Sequence, residues 1–214
     1  MPNRNLDNAF PTPTRFLAAR DNPLCMALVT RVKFRFATED WPWHLNRLRL
    51  LNYRAAIVGP QGSGKTTLLY ELLDQLRGSG VACHHVFLPQ DQDAYPRLLN
   101  EAFEKTDSIL LVDGLERLSL RQRWNLLRRT KRGPGLVVNL HQPCRFPDRL
   151  PTWMRTSTSP QLIAEILKDL NLDLPEIQSA GVIAWEQSNG NIRDALRDLY
   201  DQFASGRFNE ILSR

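Results

Sequence analysis

The residues with the clearest chemical potential are Gly59-Pro60-Gln61-Gly62-Ser63-Gly64-Lys65-Thr66, with Thr67 directly after them. Glycine has no Cβ, so a run bounded by Gly59, Gly62 and Gly64 can curl until successive amide N–H groups point inward around an anion. Lys65 offers a compact positive charge to the outer phosphates of a polyphosphate, and the Thr66 hydroxyl is a hard oxygen ligand for Mg²⁺. The spacing Gly-x-x-x-x-Gly-Lys-Thr thus points to residues 59–67 cradling the phosphates of ATP with Mg²⁺ as the cofactor. A metal site of this kind also needs a carboxylate. Asp113 follows the apolar run Ile109-Leu110-Leu111-Val112, where the strand adjacent to the loop's own strand would carry it toward Thr66. Glu116 is the nearest further carboxylate, either orienting an attacking water or serving as a solvated or capping residue.

These groups must be held by a strand before the loop and a helix after it. Ala55-Ala56-Ile57-Val58 is a short apolar run, as expected of a strand buried on both faces. Leu68, Leu69, Leu72, Leu73 and Leu76 fall on one face of a helix over residues 66–77, and Gly78-Ser79-Gly80 ends it. Strands are expected at residues 81–88, 109–112 and 136–140, with a weakly marked fifth at 152–156. Helices over 96–105 and 118–129 alternate with them, which predicts parallel order. Beyond Ser159-Pro160 the pattern becomes helical at 161–170, 176–187 and 191–203. The predicted fold class is α/β, a P-loop NTPase parallel sheet flanked by helices and followed by a small all-helical lid. The expected division is an N-terminal extension over residues 1–52, an ATPase core over 53–157 and the lid over 158–214. The extension has Pro11, Pro13 and aromatic residues through Phe34, Phe36, Trp41 and Trp43, with no catalytic signature.

Residues from about 54 to 203 resemble the AAA+ ATPases. A third element sits where that family has one: Gly190-Asn191-Ile192-Arg193-Asp194-Ala195-Leu196-Arg197-Asp198-Leu199. In the family a lid helix of similar pattern carries the sensor 2 arginine, which reaches the γ-phosphate, and Arg193 matches it. The helical period agrees, because Ile192, Ala195, Leu196, Leu199 and Phe203 form an apolar stripe with Arg193 at its border. The family's sensor 1 is a polar residue ending the fourth strand, a place Asn139 or His141 fits, with Asn139 preferred. The resemblance therefore implies Mg²⁺-dependent ATP hydrolysis by Lys65, Asp113, Glu116, Asn139 and Arg193, coupled to a macromolecular partner. It also implies homo-oligomers in which an arginine finger acts across a subunit boundary, with Arg128, Arg129, Arg145, Arg149 and Arg155 as competing candidates. One departure stands out. The usual acidic pair after the third strand is replaced by Asp113-Gly114-Leu115-Glu116, which resembles related signalling NTPases and leaves open a nucleotide-gated protein-binding switch with little turnover. A small-molecule kinase would use the same loop, but would need a substrate lid inserted among the strands.

The chain has 214 residues and a formal net charge of +5, with 42% hydrophobic and 24% charged residues, values of an ordinary globular protein. Between Arg117 and Arg132 there are seven basic residues and no acidic one. That cluster could follow a DNA backbone, meet a DNA-associated protein or another subunit, or remain solvated. The three cysteines, Cys25, Cys83 and Cys144, are widely spaced, and His44, His84, His85 and His141 have no metal-ligand spacing, so neither disulfides nor a structural metal is expected. No run approaches the roughly 18 apolar residues of a membrane span, and the first residues lack a secretory pattern, so a cytoplasmic protein with no membrane partner is expected.

Overall fold

Alternation of side chains along three apolar central strands builds a core on each face of a single sheet. The computed structural model describes residues 18–36, 38–104, 107–133, 135–143 and 150–212. The strands are β1 (Arg54–Val58), β2 (Cys83–Phe87), β3 (Ile109–Asp113), β4 (Leu136–Leu140) and β5 (Thr152–Arg155), all parallel, in the order β2-β3-β4-β1-β5. The helices are α1 (Met26–Val29), α2 (Trp41–Leu50), α3 (Lys65–Gly78), α4 (Tyr95–Glu104), α5 (Leu120–Arg129), α6 (Pro160–Asp169), α7 (Pro175–Gln187), α8 (Ile192–Ala204) and α9 (Asn209–Leu212).

Ala55, Ile57, Ile109, Leu111 and Val137 point to one face and pack with the leucines of α3 and with Leu48 of α2. Their neighbours Ala56, Val58, Leu110, Val112, Leu136 and Val138 point to the other, against Leu99 of α4 and Leu126 of α5. This is the period of two expected of a strand, and burial on both faces explains why the central strands read as unbroken apolar runs. β3 and β4 are buried along their whole length, whereas the edge strands β2 and β5 carry partly exposed residues. The register pairs Ala55 with Val137 and Val137 with Leu111, so β4 lies between β1 and β3.

That order corrects one expectation: Asp113 does not come from the strand adjacent to the loop's own strand but from the next one across. The faintly marked fifth strand forms beside β1, with a register shift between Ala56 and Ile57. Its inward anchor is Trp153, fully buried, whose indole Nε1 donates to the His44 carbonyl at 2.9 Å and so ties α2 to the sheet.

Residues 160–204 form a third core. Ile163 and Leu167 of α6, Ile177, Ala180 and Ala184 of α7, and Ala195, Leu199 and Phe203 of α8 pack together, joined by Leu24 from far upstream. Ser159 caps α6 by accepting from Leu162 N–H, and Asn191 caps α8 by accepting from the N–H groups of Arg193 and Asp194. The segment before α2 touches both parts of the molecule. Asn22 donates to the Tyr200 carbonyl of α8 at 2.9 Å, Arg35 pairs with Asp169 of α6, and the Phe34 N–H bonds to Glu71 of α3. Among the described residues no helix is long and apolar enough to cross a membrane.

Candidate functional site

The loop after β1 is shaped by close approaches that exclude side chains. Gly62 has φ 75° and Gly64 has φ 82°, a region that residues with a Cβ rarely adopt. A Cβ on Gly59 would lie 2.0 Å from Thr156 Oγ1, and one on Gly62 would lie 2.0 Å from Asn191 Oδ1. The loop is therefore clasped on one side by the end of β5 and on the other by the start of α8. Ser63, almost fully buried, ties the loop to the end of β5: its Oγ lies 2.6 Å from Thr156 Oγ1 and donates to the Pro60 carbonyl at 2.8 Å.

The loop's amides are unevenly used. Gly59 N–H donates to the Leu140 carbonyl at 3.1 Å and so continues the sheet. Among the described residues no hydrogen bond has the N–H of Gly62, Ser63 or Gly64 as its donor, and Gly64 caps α3 without a side chain. These amides and the first turn of α3 make a concentration of unspent donors at the positive end of a 14-residue helix, an environment that favours an anion.

Lys65 opens α3 yet is only 9% exposed, with Nζ donating to the carbonyls of Gly59 at 2.8 Å and Pro60 at 2.7 Å. Burial pushes the Lys65 amine below the ordinary lysine value, the carboxylates of Glu116 and Asp113 pull it up, and the Arg193 guanidinium pushes it down. The pattern places Glu116, Asp113 and Arg193 within electrostatic range of one ammonium group.

Across the gap, Thr66 Oγ1 donates to Asp113 Oδ2 at 2.8 Å, and Asn139 Nδ2 donates to Asp113 Oδ1 at 3.1 Å. Strand order makes both bonds possible: β4 sits between β1 and β3, so its last polar side chain reaches Asp113 directly while α3 brings Thr66 from the other side. Asn139 is 2% exposed, and its Oδ1 has no protein partner. Glu116, past Gly114 with its φ of 93°, reaches His141 Nε2 at 3.3 Å. Of the two sensor 1 candidates, Asn139 meets Asp113 and His141 meets Glu116.

A cleft of ≈ 2140 Å³ is lined by residues 61–67 of the loop and by Asp113, Glu116, Asn139, His141 and Arg193. The structure thus brings together Lys65, Thr66, Asp113, Asn139, Glu116 and Arg193, with Gly59 and Pro60 beneath as supports for Lys65. The proposed finger residues are scattered. Arg155 lines the cleft, Arg128 and Arg129 lie against the rings of Trp124 and Phe103, and Arg145 and Arg149 fall outside the described residues, as does Cys144.

Several contributors left no mark in the sequence. Thr156, Arg197 and Phe34 all line the cleft, and Phe34 comes within 3.4 Å of where a Gly64 Cβ would stand. Only Asn191 had a readable signal, as a polar cap before an apolar helical stripe. Among the described residues no group of three or more His, Cys, Asp or Glu side chains could hold a metal by itself. No family model matches the chain, and no curated protein matches it. Fold and site together define an α/β chain with a glycine-bounded loop at the end of a central parallel strand, facing a carboxylate two strands away.

Proposed function

We propose that the chain binds ATP through residues 59–67 and hydrolyses it with Mg²⁺, as an AAA+-like P-loop ATPase coupled to a macromolecular partner. The observation that carries this reading is the 2.8 Å bond between Thr66 and Asp113 at the foot of the loop whose inner amides are unspent. The residues suit the metal. Mg²⁺ keeps several waters and takes one or two protein oxygens beside phosphate, and Thr66 Oγ1 with Asp113 would supply these. When bound, the ion would neutralise charge on the β- and γ-phosphoryl oxygens.

The chain's own groups do the rest. Gly62, Ser63 and Gly64 N–H groups receive phosphate oxygens, and Lys65 exchanges the carbonyls of Gly59 and Pro60 for an anion that offsets the cost of its burial. Asn139 fixes the rotamer of Asp113 and has a free Oδ1 for a water. Glu116 orients the attacking water, while His141 holds the Glu116 carboxylate. Arg193, exposed into the cleft, approaches the γ-phosphate from the helical side.

A second reading, a nucleotide-gated protein-binding switch with little turnover, draws on one observation: Glu116 stands beyond Gly114 and is already engaged by His141. Magnesium-dependent phosphate release separates the two. An ATPase loses turnover in Glu116→Gln while keeping ATP affinity. A switch binds ATP with no measurable release in either protein, and sizing with and without ATP then tests whether occupancy drives self-association.

A further inference from the structure

Helix α5 carries charge and aromatic surface that the phosphate site leaves unused. Leu126 anchors it in the core, with Leu127 packed beside. Its outer stripe is Leu120, Arg121, Trp124, Asn125 and Arg128, all exposed and spaced so that the helical period gathers them on one side. Leu120 is 70% and Trp124 50% exposed, unusual for large apolar groups adjacent on a helix face. The Arg128 guanidinium lies 5.2 Å from the Trp124 ring centroid. None of the ion pairs among the described residues engages Arg121, Arg128, Lys131 or Arg132, so no carboxylate of the described residues neutralises these cations. The pairing recurs toward the cleft, where Arg117 stands 5.5 Å over the half-exposed ring of Phe87 and both residues line the cavity.

An indole set between arginines fits a polyanion that also presents flat π faces. A carboxylate-rich peptide would satisfy the cations but make no use of the ring. In a duplex the base faces are occupied by stacking, which an exposed tryptophan cannot share. An unpaired strand offers both, since its bases stack on aromatic side chains while its phosphates release counterions to Arg and Lys. We propose that the outer face of α5 binds single-stranded nucleic acid, with Trp124 stacking on a base and Arg121, Arg128, Lys131 and Arg132 following the backbone. As the partner coupled to ATP turnover this strand rests on the function proposed above; as a binding surface it does not, because α5 lies outside the phosphate loop.

The test is fluorescence anisotropy without ATP, using a labelled oligodeoxythymidine of about twenty nucleotides, a duplex of equal length, and polyglutamate as competitor, at low and moderate salt. The wild-type chain binds the single strand in preference to the duplex. Trp124→Ala weakens it roughly ten-fold, and Trp124→Phe restores most of the loss. Arg121→Ala with Arg128→Ala lowers the slope of log affinity against log salt by about 1.4. Thermal unfolding confirms that each variant is folded. Lys65→Ala binds the strand like wild type, so loss of ATP binding in that variant bears on the ATPase alone. Undiminished binding by Trp124→Ala, tighter binding of the duplex, or displacement by polyglutamate each overturn the proposal. So does concentration-dependent self-association that Trp124→Ala abolishes, since the face would then belong to a second copy.

Discussion

The glycine-bounded loop at residues 59–67 and the outer face of α5 both concentrate polar chemistry, but in opposite ways. Around the loop most functional side chains are held: Lys65 by two backbone carbonyls, Thr66 and Asn139 by Asp113, Ser63 by Thr156, Glu116 by His141, while Arg193 stands exposed in the cleft. On the outer face of α5, Arg121, Trp124 and Arg128 stand in solvent, with Arg128 over the Trp124 ring, whereas Arg123 and Arg129 turn back to the chain's own carbonyls and the Phe103 ring. Buried polar groups are costly to orphan, whereas exposed ones are nearly free to change. The difference teaches where folding and function are coupled. Substitutions at the loop should disturb stability and ligand binding together, and substitutions on α5 should reach a partner alone.

The sharpest way to break that comparison is Gly62→Ala. The new methyl must displace Asn191 Oδ1, 2.0 Å from its position, and alanine must hold φ at 75°. A loss of about 2 to 4 kcal/mol in denaturant unfolding is expected, together with weaker packing of α8 on the loop. Asn139→Leu comes next. It leaves Asp113 Oδ1 without its donor in a buried site, and about 1 to 3 kcal/mol of stability should be lost even without nucleotide.

Acid should act more gently. Burial pushes the imidazoles of His44 and His85 below the ordinary 6.5, with Arg47 adding to the effect at His44 and Glu39 and Asp40 opposing it; at His85 Asp113 opposes the shift, while His84 and Arg77 add to it. Both ring nitrogens of His44 are buried without partners, and its ring stacks on Phe36 at 4.1 Å. Because the folded values lie below the unfolded one, the unfolded chain binds protons first. Stability is therefore intact above pH 6.5, falls as pH drops from there through the lowered values, and levels off below them. His44→Phe should flatten part of that slope in unfolding curves recorded across the range. The smallest effect is expected at Trp124→Ala, within about 0.5 kcal/mol of wild type, and a larger loss would show that the ring is structural.

Much of this arrangement was legible in the residues. The strand, glycine loop and leucine-striped helix around Lys65 are local patterns, and the structure returns them with boundaries moved by a residue or so, α3 running Lys65–Gly78. Asp113 was legible as the end of an apolar run. Strand order was not, because neighbours in a sheet are chosen by long-range pairing, and nothing local in residues 136–140 says that they will lie between β1 and β3. The segment before α2 was silent for another reason: it works through a backbone N–H on Glu71, an exposed ion pair and ring stacking, none of which leaves a spacing to read. The clasp of Thr156 and Asn191 on the loop is likewise a matter of tertiary approach.

Equilibrium binding of ATP, with and without Mg²⁺, to the wild-type chain and to Lys65→Ala bears most directly on the loop. Wild type should bind, more tightly with the metal, and Lys65→Ala should lose affinity on the order of 100-fold while remaining folded. Equal affinity in the two proteins would contradict a polyphosphate cradle at residues 59–67.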